Sequence, residues 1–459
     1  MTEPVAHAPD VAPGPHAAGP PPASFAGLRG EWQRLHPLSP LVRAGRGLVA
    51  VVIIFVVPFG GNQHGSLGND LGHLAALVLV LVVGIISWAV TRWRVEDGVL
   101  RIDSGLLRRT SERFPLGQIQ AIDTVRPGIA RIFGLAELRI RLPGGGARAG
   151  RLAYLANAQA DALRARLLAL AHGVDPGTPA PPESALLTVP PLKLLASMSL
   201  SGYGLVLELI IAGLVVLAVV DPAAVGAALS VGAAGLFGLV VGLGRRFNGD
   251  YRLTVAEAPD GLRLRSGLVE TSAETIPRGR VQAVRMIEPL AWRPLGWCRL
   301  EVDVAGQKSK GRQDRSQAKA ARALLPVGSH RQAAFLVGRV FPDLPTERRP
   351  PPSRARWKSP LRFRFLTFGA NDRYVLTTSG RVRRVTDWVP LAKIQSVRRV
   401  QGPLQRWMGL ASIHLDTAGR RVHAVARDRD GAESDALMVD LPERCRQARR
   451  RDGVRGGAG

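Results

Sequence analysis

At 459 residues the chain has room for roughly three domains of ordinary size, and its two cysteines, Cys298 and Cys445, exclude a disulfide framework and a Cys-rich metal site. Hydrophobic residues make up 46% of it, yet the formal net charge is +26, so apolar and basic residues must be segregated along the chain. Of 62 Lys and Arg only six are Lys (Lys193, Lys308, Lys310, Lys319, Lys358, Lys393), so 56 are Arg, and a surplus of this sign attracts anionic lipid or nucleic acid.

In chain order, residues 1–40 are rich in Pro, Ala and Gly without apolar periodicity, which predicts a disordered N-terminus with no secretory signal. Two apolar stretches, 41–62 and 72–92, predict the first pair of membrane helices, with Trp88 and Trp93 placed for an aromatic belt. A soluble module over 93–172 is followed by a Pro-rich linker, 173–191. A second apolar pair, 192–220 and 223–244, is separated by only Asp221 and Pro222. Each of these is near the length that crosses ~30 Å of hydrocarbon at ~1.5 Å per residue. A second module (245–342), a Pro- and Arg-rich linker (343–359), a third module (360–446) and a basic tail (447–459) complete the chain.

Positive charge orients these spans. Arg29, Arg34, Arg43 and Arg46 precede the first, Arg92 and Arg94 follow the second, Lys193 precedes the third, and Arg245 and Arg246 follow the fourth. The loop 61–73 holds no Lys or Arg. Every pair therefore puts its basic ends on one side, which predicts a multi-pass plasma-membrane protein with both termini and all modules cytoplasmic.

The three modules share a pattern. With Pro115, Pro277 and Pro390 as origins, a glycine lies ten residues earlier (Gly105, Gly267, Gly380) and a β-branched residue with glutamine follows (Ile119-Gln120, Val281-Gln282, Ile394-Gln395). An arginine comes next (Arg131, Arg293, Arg406), then a glycine three residues on (Gly134, Gly296, Gly409) and another ten beyond that (Gly144, Gly306, Gly419). Six offsets matched without a gap in three copies make this a threefold repeat. Alternating segments such as Val99–Asp103, Glu137–Leu142, Arg299–Asp303 and Ile413–Thr417 predict half-buried strands. Helix-like sequence closes each copy: Ala158–Ala171, with Leu163, Leu167 and Leu170 on one face, then Gln332–Val340 and Ser434–Arg446.

The motif G-x9-P-x3-[IV]-Q-x10-R-x2-G downstream of a two-span hairpin resembles the bacterial PH-like domain of YdbS/YdbT-type membrane proteins. Four spans with three such domains, the third lacking its own hairpin, are similar to the larger, YdbT-like members over about residues 41–446. The resemblance implies a fold class: a multidomain membrane protein with four transmembrane α-helices in two hairpins and three cytoplasmic PH-like β-barrels, each closed by a C-terminal helix. It implies no catalytic residue.

The residues offer little chemistry. Gly144-Gly145-Gly146 lacks the spacing and context of a phosphate loop and reads as a hairpin turn. The nine His are scattered, so neither a metal nor a catalytic site is predicted, and no cofactor. Arg131, Arg293 and Arg406 have two readings, an anion or carboxylate contact and a cap on loop carbonyls, and the cap is preferred. Gln120, Gln282 and Gln395 read as strand or turn hydrogen-bonders. Glu208, mid-span, is costly in hydrocarbon and is expected to meet a polar helix partner. Gly238 and Gly242 provide a small-xxx-small contact.

The expected function is a non-enzymatic membrane scaffold. Its modules would bind one another, further copies or a smaller one-domain YdbS-like relative, and touch anionic lipid of the inner leaflet. The alternative is a transporter or export component whose path runs along the four spans past Glu208. Nucleic acid is not expected, because Arg is spread over every soluble segment without aromatic interleaving.

Overall fold

The computed structural model describes residues 32–42, 78, 82, 84–96, 98–105, 109–119, 121–141, 150–171, 184–258, 261–305, 322–419 and 421–456. The first unit contributes β1 (Gln33–Arg34), β2 (Arg92–Glu96), β3 (Val99–Ser104), β4 (Thr110–Pro115), β5 (Ala121–Arg126), β6 (Leu135–Arg141) and β7 (Gly150–Ala156). The second contributes β8 (Ser184–Thr188), β9 (Thr254–Ala258), β10 (Gly261–Ser266), β11 (Thr271–Ile276), β12 (Val281–Pro289), β13 (Trp297–Val304) and β14 (Arg322–Ser329). The third contributes β15 (Thr367–Ala370), β16 (Tyr374–Ser379), β17 (Arg383–Pro390), β18 (Ile394–Val400), β19 (Leu410–Thr417) and β20 (Ala424–Asp430).

Each unit is two antiparallel half-sheets rather than one closed sheet, and the break between them is written in the repeated proline. Pro115, Pro277 and Pro390 each lead into a one-turn 3-10 helix with φ of −59°, −64° and −65°. Proline has no N–H for a ladder and its ring presets that φ, so the first half-sheet stops there and the chain turns off. The expected closed barrels are therefore corrected to open sheets. The half-sheets join across units instead: the orders are β1-β2-β3-β4, then β7-β6-β5-β11-β10-β9-β8, then β14-β13-β12-β17-β16-β15, then β18-β19-β20.

Between its two half-sheets each unit holds its own core. Leu100, Phe114, Ile122, Leu138 and Leu152 fill the first, where Leu163 and Leu167 of the helix Asn157–Ala171 dock. Leu170, expected on the same face, is 39% exposed. Trp292, Leu300 and Leu324 fill the second, joined by Trp388 from β17 of the third unit, with Leu336 and Val337 of His330–Val340, a helix started by a capping box between Ser329 and Gln332. Val375, Val389, Ile413 and Leu415 fill the third with Leu441 and Cys445 of the long helix Gly431–Gly456.

Four membrane spans were expected; among the described residues two helices are long and apolar enough, Gly202–Val220 and Pro222–Asp250. That overturns the four-span count. Most of 41–62 and about half of 72–92 lie outside the described residues. Trp88 and Trp93, expected in an aromatic belt, face protein: the Trp88 indole donates to the Leu35 carbonyl (2.9 Å), and Trp93 is buried in the first core. The two long helices are 6% and 0% buried, unlike core helices of a soluble domain. Asp221 caps the second of them, its Oδ1 accepting from the N–H groups of Ala223 and Ala224. The stretch from 192 to 220 is in two pieces, because Ser201 ends the short helix Pro191–Ser199 on the Met198 carbonyl and caps the next through Gly204 N–H.

Candidate assembly interfaces

The junctions between units are where the repeated residues meet. β5 pairs antiparallel with β11 (Thr124 opposite Ala273, Arg126 opposite Thr271), and β12 with β17 (Val284 opposite Trp388, Pro289 opposite Arg383). Counted from each unit's origin proline, Thr124 and Ala273 stand at +9 and −4, and Val284 and Trp388 at +7 and −2. Every pair at both junctions adds to five. One register is thus used twice, as expected where identical patterns of inward and outward residues must be satisfied.

Side chains reinforce it. Arg131 sits in the short helix Gly128–Ile132 and its Nη1 donates to the Leu268 carbonyl at 2.5 Å, immediately after Gly267. Arg293 of Leu290–Leu295 makes the same contact to the Arg381 carbonyl, immediately after Gly380. Each repeated arginine therefore holds the turn of the following unit. That turn needs glycine: φ is +118° at Gly267 and +95° at Gly380, and a Cβ there would lie 1.9 Å and 2.1 Å from the carbonyl oxygens of Glu270 and Arg383. Gly134, Gly296 and Gly409 take φ between +61° and +65°, ending the short helix on which the arginine rides.

A cluster of one arginine and two carboxylates lies at the same strand positions of each junction. At the first, Arg141 pairs with Asp123 (2.5 Å) and with Glu274 of the next unit. At the second, Arg285 meets Asp387 of the next unit through two bonds of 2.6 and 2.9 Å, with Asp303 close by. Asp303 Oδ2 also accepts from the N–H groups of Arg421 and Val422, across the same junction. Burial works against the charge on Arg285, but the Asp387 carboxylate outweighs it and raises its proton affinity. Burial pulls the other way on Asp387, lifting it above the usual carboxylate range; the bidentate geometry decides for an ion pair. Glu288 and Arg384 add a second pair at 3.4 Å.

The membrane helix joins this system. At ~1.5 Å per residue the 29 residues of Pro222–Asp250 run about 43 Å, past a hydrocarbon core of ~30 Å. Its end ties to the second unit through Asp250–Arg299 (3.3 Å), Asn248 Oδ1 accepting from Val269 N–H (2.6 Å) and Tyr251 carbonyl accepting from Gly267 N–H (3.0 Å). The Gly267 turn is thus held by the membrane helix on one side and Arg131 on the other.

The remaining expected site residues fall as follows. Gln282 is buried and donates to the Arg280 carbonyl, Gln395 is exposed on β18, and Gln120 lies outside the described residues. Arg406, in the short helix Pro403–Trp407, is exposed. Glu208 is exposed on the side of the helix Gly202–Val220 and meets no polar helix partner among the described residues. Among the described residues no three of His, Cys, Asp or Glu come together in a way that could hold a metal ion. The Asp387, Asp303 and Glu274 carboxylates lie outside the repeated motif, since no one residue type holds their positions in all three copies (Glu112, Glu274 and Asp387; Arg141, Asp303 and Asp416); only their charge pattern across strands marks them.

The bacterial PH domain model matches residues 45–171, 205–340 and 333–437, more than half the chain, which bears out the resemblance read from the repeat. The chain is also similar to the UPF0699 transmembrane protein YdbT of Bacillus subtilis (strain 168), at 24% identity over 128 residues, 27% of this chain and 26% of that protein. The matched stretch thus spans about a quarter of the curated relative's length. With three matched domains, two exposed apolar helices and a transmembrane relative, this is a YdbT-like membrane protein, and the chain belongs to the bacterial PH domain family.

Proposed function

We propose that the chain is a non-enzymatic membrane scaffold whose PH-like units bind protein partners, with anionic lipid as a secondary contact. The observation that carries it is the pair of junctions: the same strand register, arginine clamp and charge cluster join unit to unit twice. A surface reused in this way is a docking device, and edge pairing is a general mode of protein recognition. The units lie on the cytoplasmic side, a topology supported by the Arg245–Arg246 pair at the protruding end of the membrane hairpin and the base-free Asp221–Pro222 turn at the other. The net charge of +26 supports lipid contact, at about 1 kcal/mol per Lys or Arg close to an anionic surface.

The test is purification from native membranes with mass spectrometry of bound proteins and lipids. The expected result is a stoichiometric protein partner, the chain itself included, with anionic lipid enriched over the bulk membrane. A chain recovered as a bare monomer would refute the scaffold reading.

A further inference from the structure

The junction device has a socket and a plug, and at the two ends of the chain one of each is left over. β5 and β12, the socket strands of the first two units, are buried against their partners; β18, their counterpart, pairs only with β19 among the described residues and is exposed over most of its length. β11 and β17, the plug strands, are each paired on both sides; β4, their counterpart, pairs only with β3 among the described residues.

We infer that β18 of one chain receives β4 of a second copy of the same chain, in the register used at the two internal junctions. This rests on the scaffold reading and names its partner. Three observations support it beyond the open edges themselves. First, the shared register places Val397, Arg398, Arg399 and Val400 opposite Arg113, Glu112, Ser111 and Thr110. Arg398 thereby meets Glu112, and with Asp416, already bonded to Arg398 at 2.6 and 2.9 Å, forms the same cluster of one arginine and two carboxylates. Its order matches the second junction residue for residue: Arg398 for Arg285, Glu112 for Asp387, Asp416 for Asp303. Second, Val400 is 43% exposed whereas its counterparts Val125 and Ile287 are 4% and 2% exposed, as expected of a core position missing its cover. Third, Arg406 stands at the place from which Arg131 and Arg293 reach the following turn.

One internal contact has no equivalent. Leu290 N–H donates to the Val382 carbonyl (2.8 Å), and Pro403, in Leu290's place, has no N–H, so this junction forms without that bond. A plug at one end and a socket at the other make the contact heterologous, producing rings if the rotation closes and rows if it does not. Anchorage of every copy in one bilayer confines such an assembly to the membrane plane. A long exposed strand edge invites pairing, and this arrangement satisfies it with the chain's own complement.

Two differently tagged full-length chains, one carrying Val400→Cys and the other Thr110→Cys, are co-expressed and oxidised in native membranes. The native Cys298 and Cys445 are buried and leave little background. The expected result is a disulfide-linked dimer bearing both tags, about tenfold more abundant than with the control pair Val400→Cys and Arg113→Cys. That control is displaced by three residues, roughly 10 Å along a strand. Arg398→Glu is expected to lower the yield at least fivefold, and Glu112→Arg in the partner to restore it. No doubly tagged dimer, equal yield in the displaced control, or failure of the charge swap to restore would each overturn the inference. A Val400→Cys adduct with a different protein, without the doubly tagged dimer, would overturn the second-copy occupant while leaving the scaffold reading standing.

Discussion

Asp387→Asn is the sharpest single test of how the units are held together. Asp387 is 5% exposed and carries both bonds to the Arg285 guanidinium, which keeps 21% of its side-chain surface in solvent. Removing one partner of a buried ion pair costs about 3–5 kcal/mol, since the other charge is left desolvated without compensation. Arg285 retains its bond to the Arg421 carbonyl (3.2 Å) and some water, so the lower end applies, about 3 kcal/mol. At ~1.4 kcal/mol per factor of ten this is a little over a hundredfold in the unfolding equilibrium. Guanidinium titration of the detergent-solubilised chain, followed by tryptophan fluorescence with Trp388 beside the mutated residue, reads the midpoint. The double variant Arg285→Met, Asp387→Leu removes both charges and is expected to recover most of the loss. A loss below about 0.5 kcal/mol for Asp387→Asn, or a double variant as unstable as the two single changes combined, would show that the pair does not hold the junction.

Gly380→Ala is expected to cost about 1–3 kcal/mol, because φ of +95° and a Cβ 2.1 Å from the Arg383 carbonyl leave no room, whereas Gly134→Asn, at +65° in open space, should cost about 1 kcal/mol or less; equal midpoints for the two would contradict this. Burial pushes the Cys298 thiol up to about 12, so iodoacetamide at pH 8 should label it only after unfolding, and rapid native labelling would be the adverse result. Burial, with Arg398 and Arg427 nearby, depresses His414 below 6.5, so the folded protein binds fewer protons there than the unfolded chain. Its stabilising effect is complete above pH 6.5 and falls away as pH drops below it; His414→Gln should flatten the slope of melting temperature between pH 7.5 and 5.5, and an unchanged slope would remove His414 from the account. Ala223→Cys, at the tip of the membrane hairpin, should react with an impermeant thiol reagent from outside intact cells while Trp357→Cys does not, and the opposite pattern would invert the proposed topology.

The repeat, the strands and the closing helices were legible because they are local: glycine at a turn with φ near +100°, proline at a strand end, leucines at helical spacing. The assignment of strands to sheets was not. Whether the second edge of β5, beside its pairing with β6, closes on its own unit or takes β11 depends on residues about 150 positions apart, and no short-range pattern distinguishes the two. Hence the expectation of closed barrels. Trp93 shows the same limit on a smaller scale, since an aromatic beside an apolar run suits a membrane belt as well as a core, and only the pairing of Trp93 with Gln33 and Ile102 decides for the core. Arg131, Arg293 and Arg406 stand out as a repeated residue type, while the direction in which Arg131 and Arg293 point, into the next unit, depends on the junction between distant strands.

This direction also accounts for why the third unit carries no membrane hairpin before it. The second unit is held twice, by the Asp250–Arg299 and Asn248–Val269 contacts at the end of its membrane helix and by Arg131 from the unit before. The third has six consecutive strand pairs from Val284–Trp388 to Pro289–Arg383, the Arg285–Asp387 and Glu288–Arg384 ion pairs, and the Arg293 clamp. Its junction is twice as long as the three pairs from Thr271–Arg126 to Ala273–Thr124 that serve the first. A unit fixed this firmly to its neighbour needs no anchor of its own, and the longer ladder stands where the hairpin is missing. On the far side β18 has no second strand partner among the described residues.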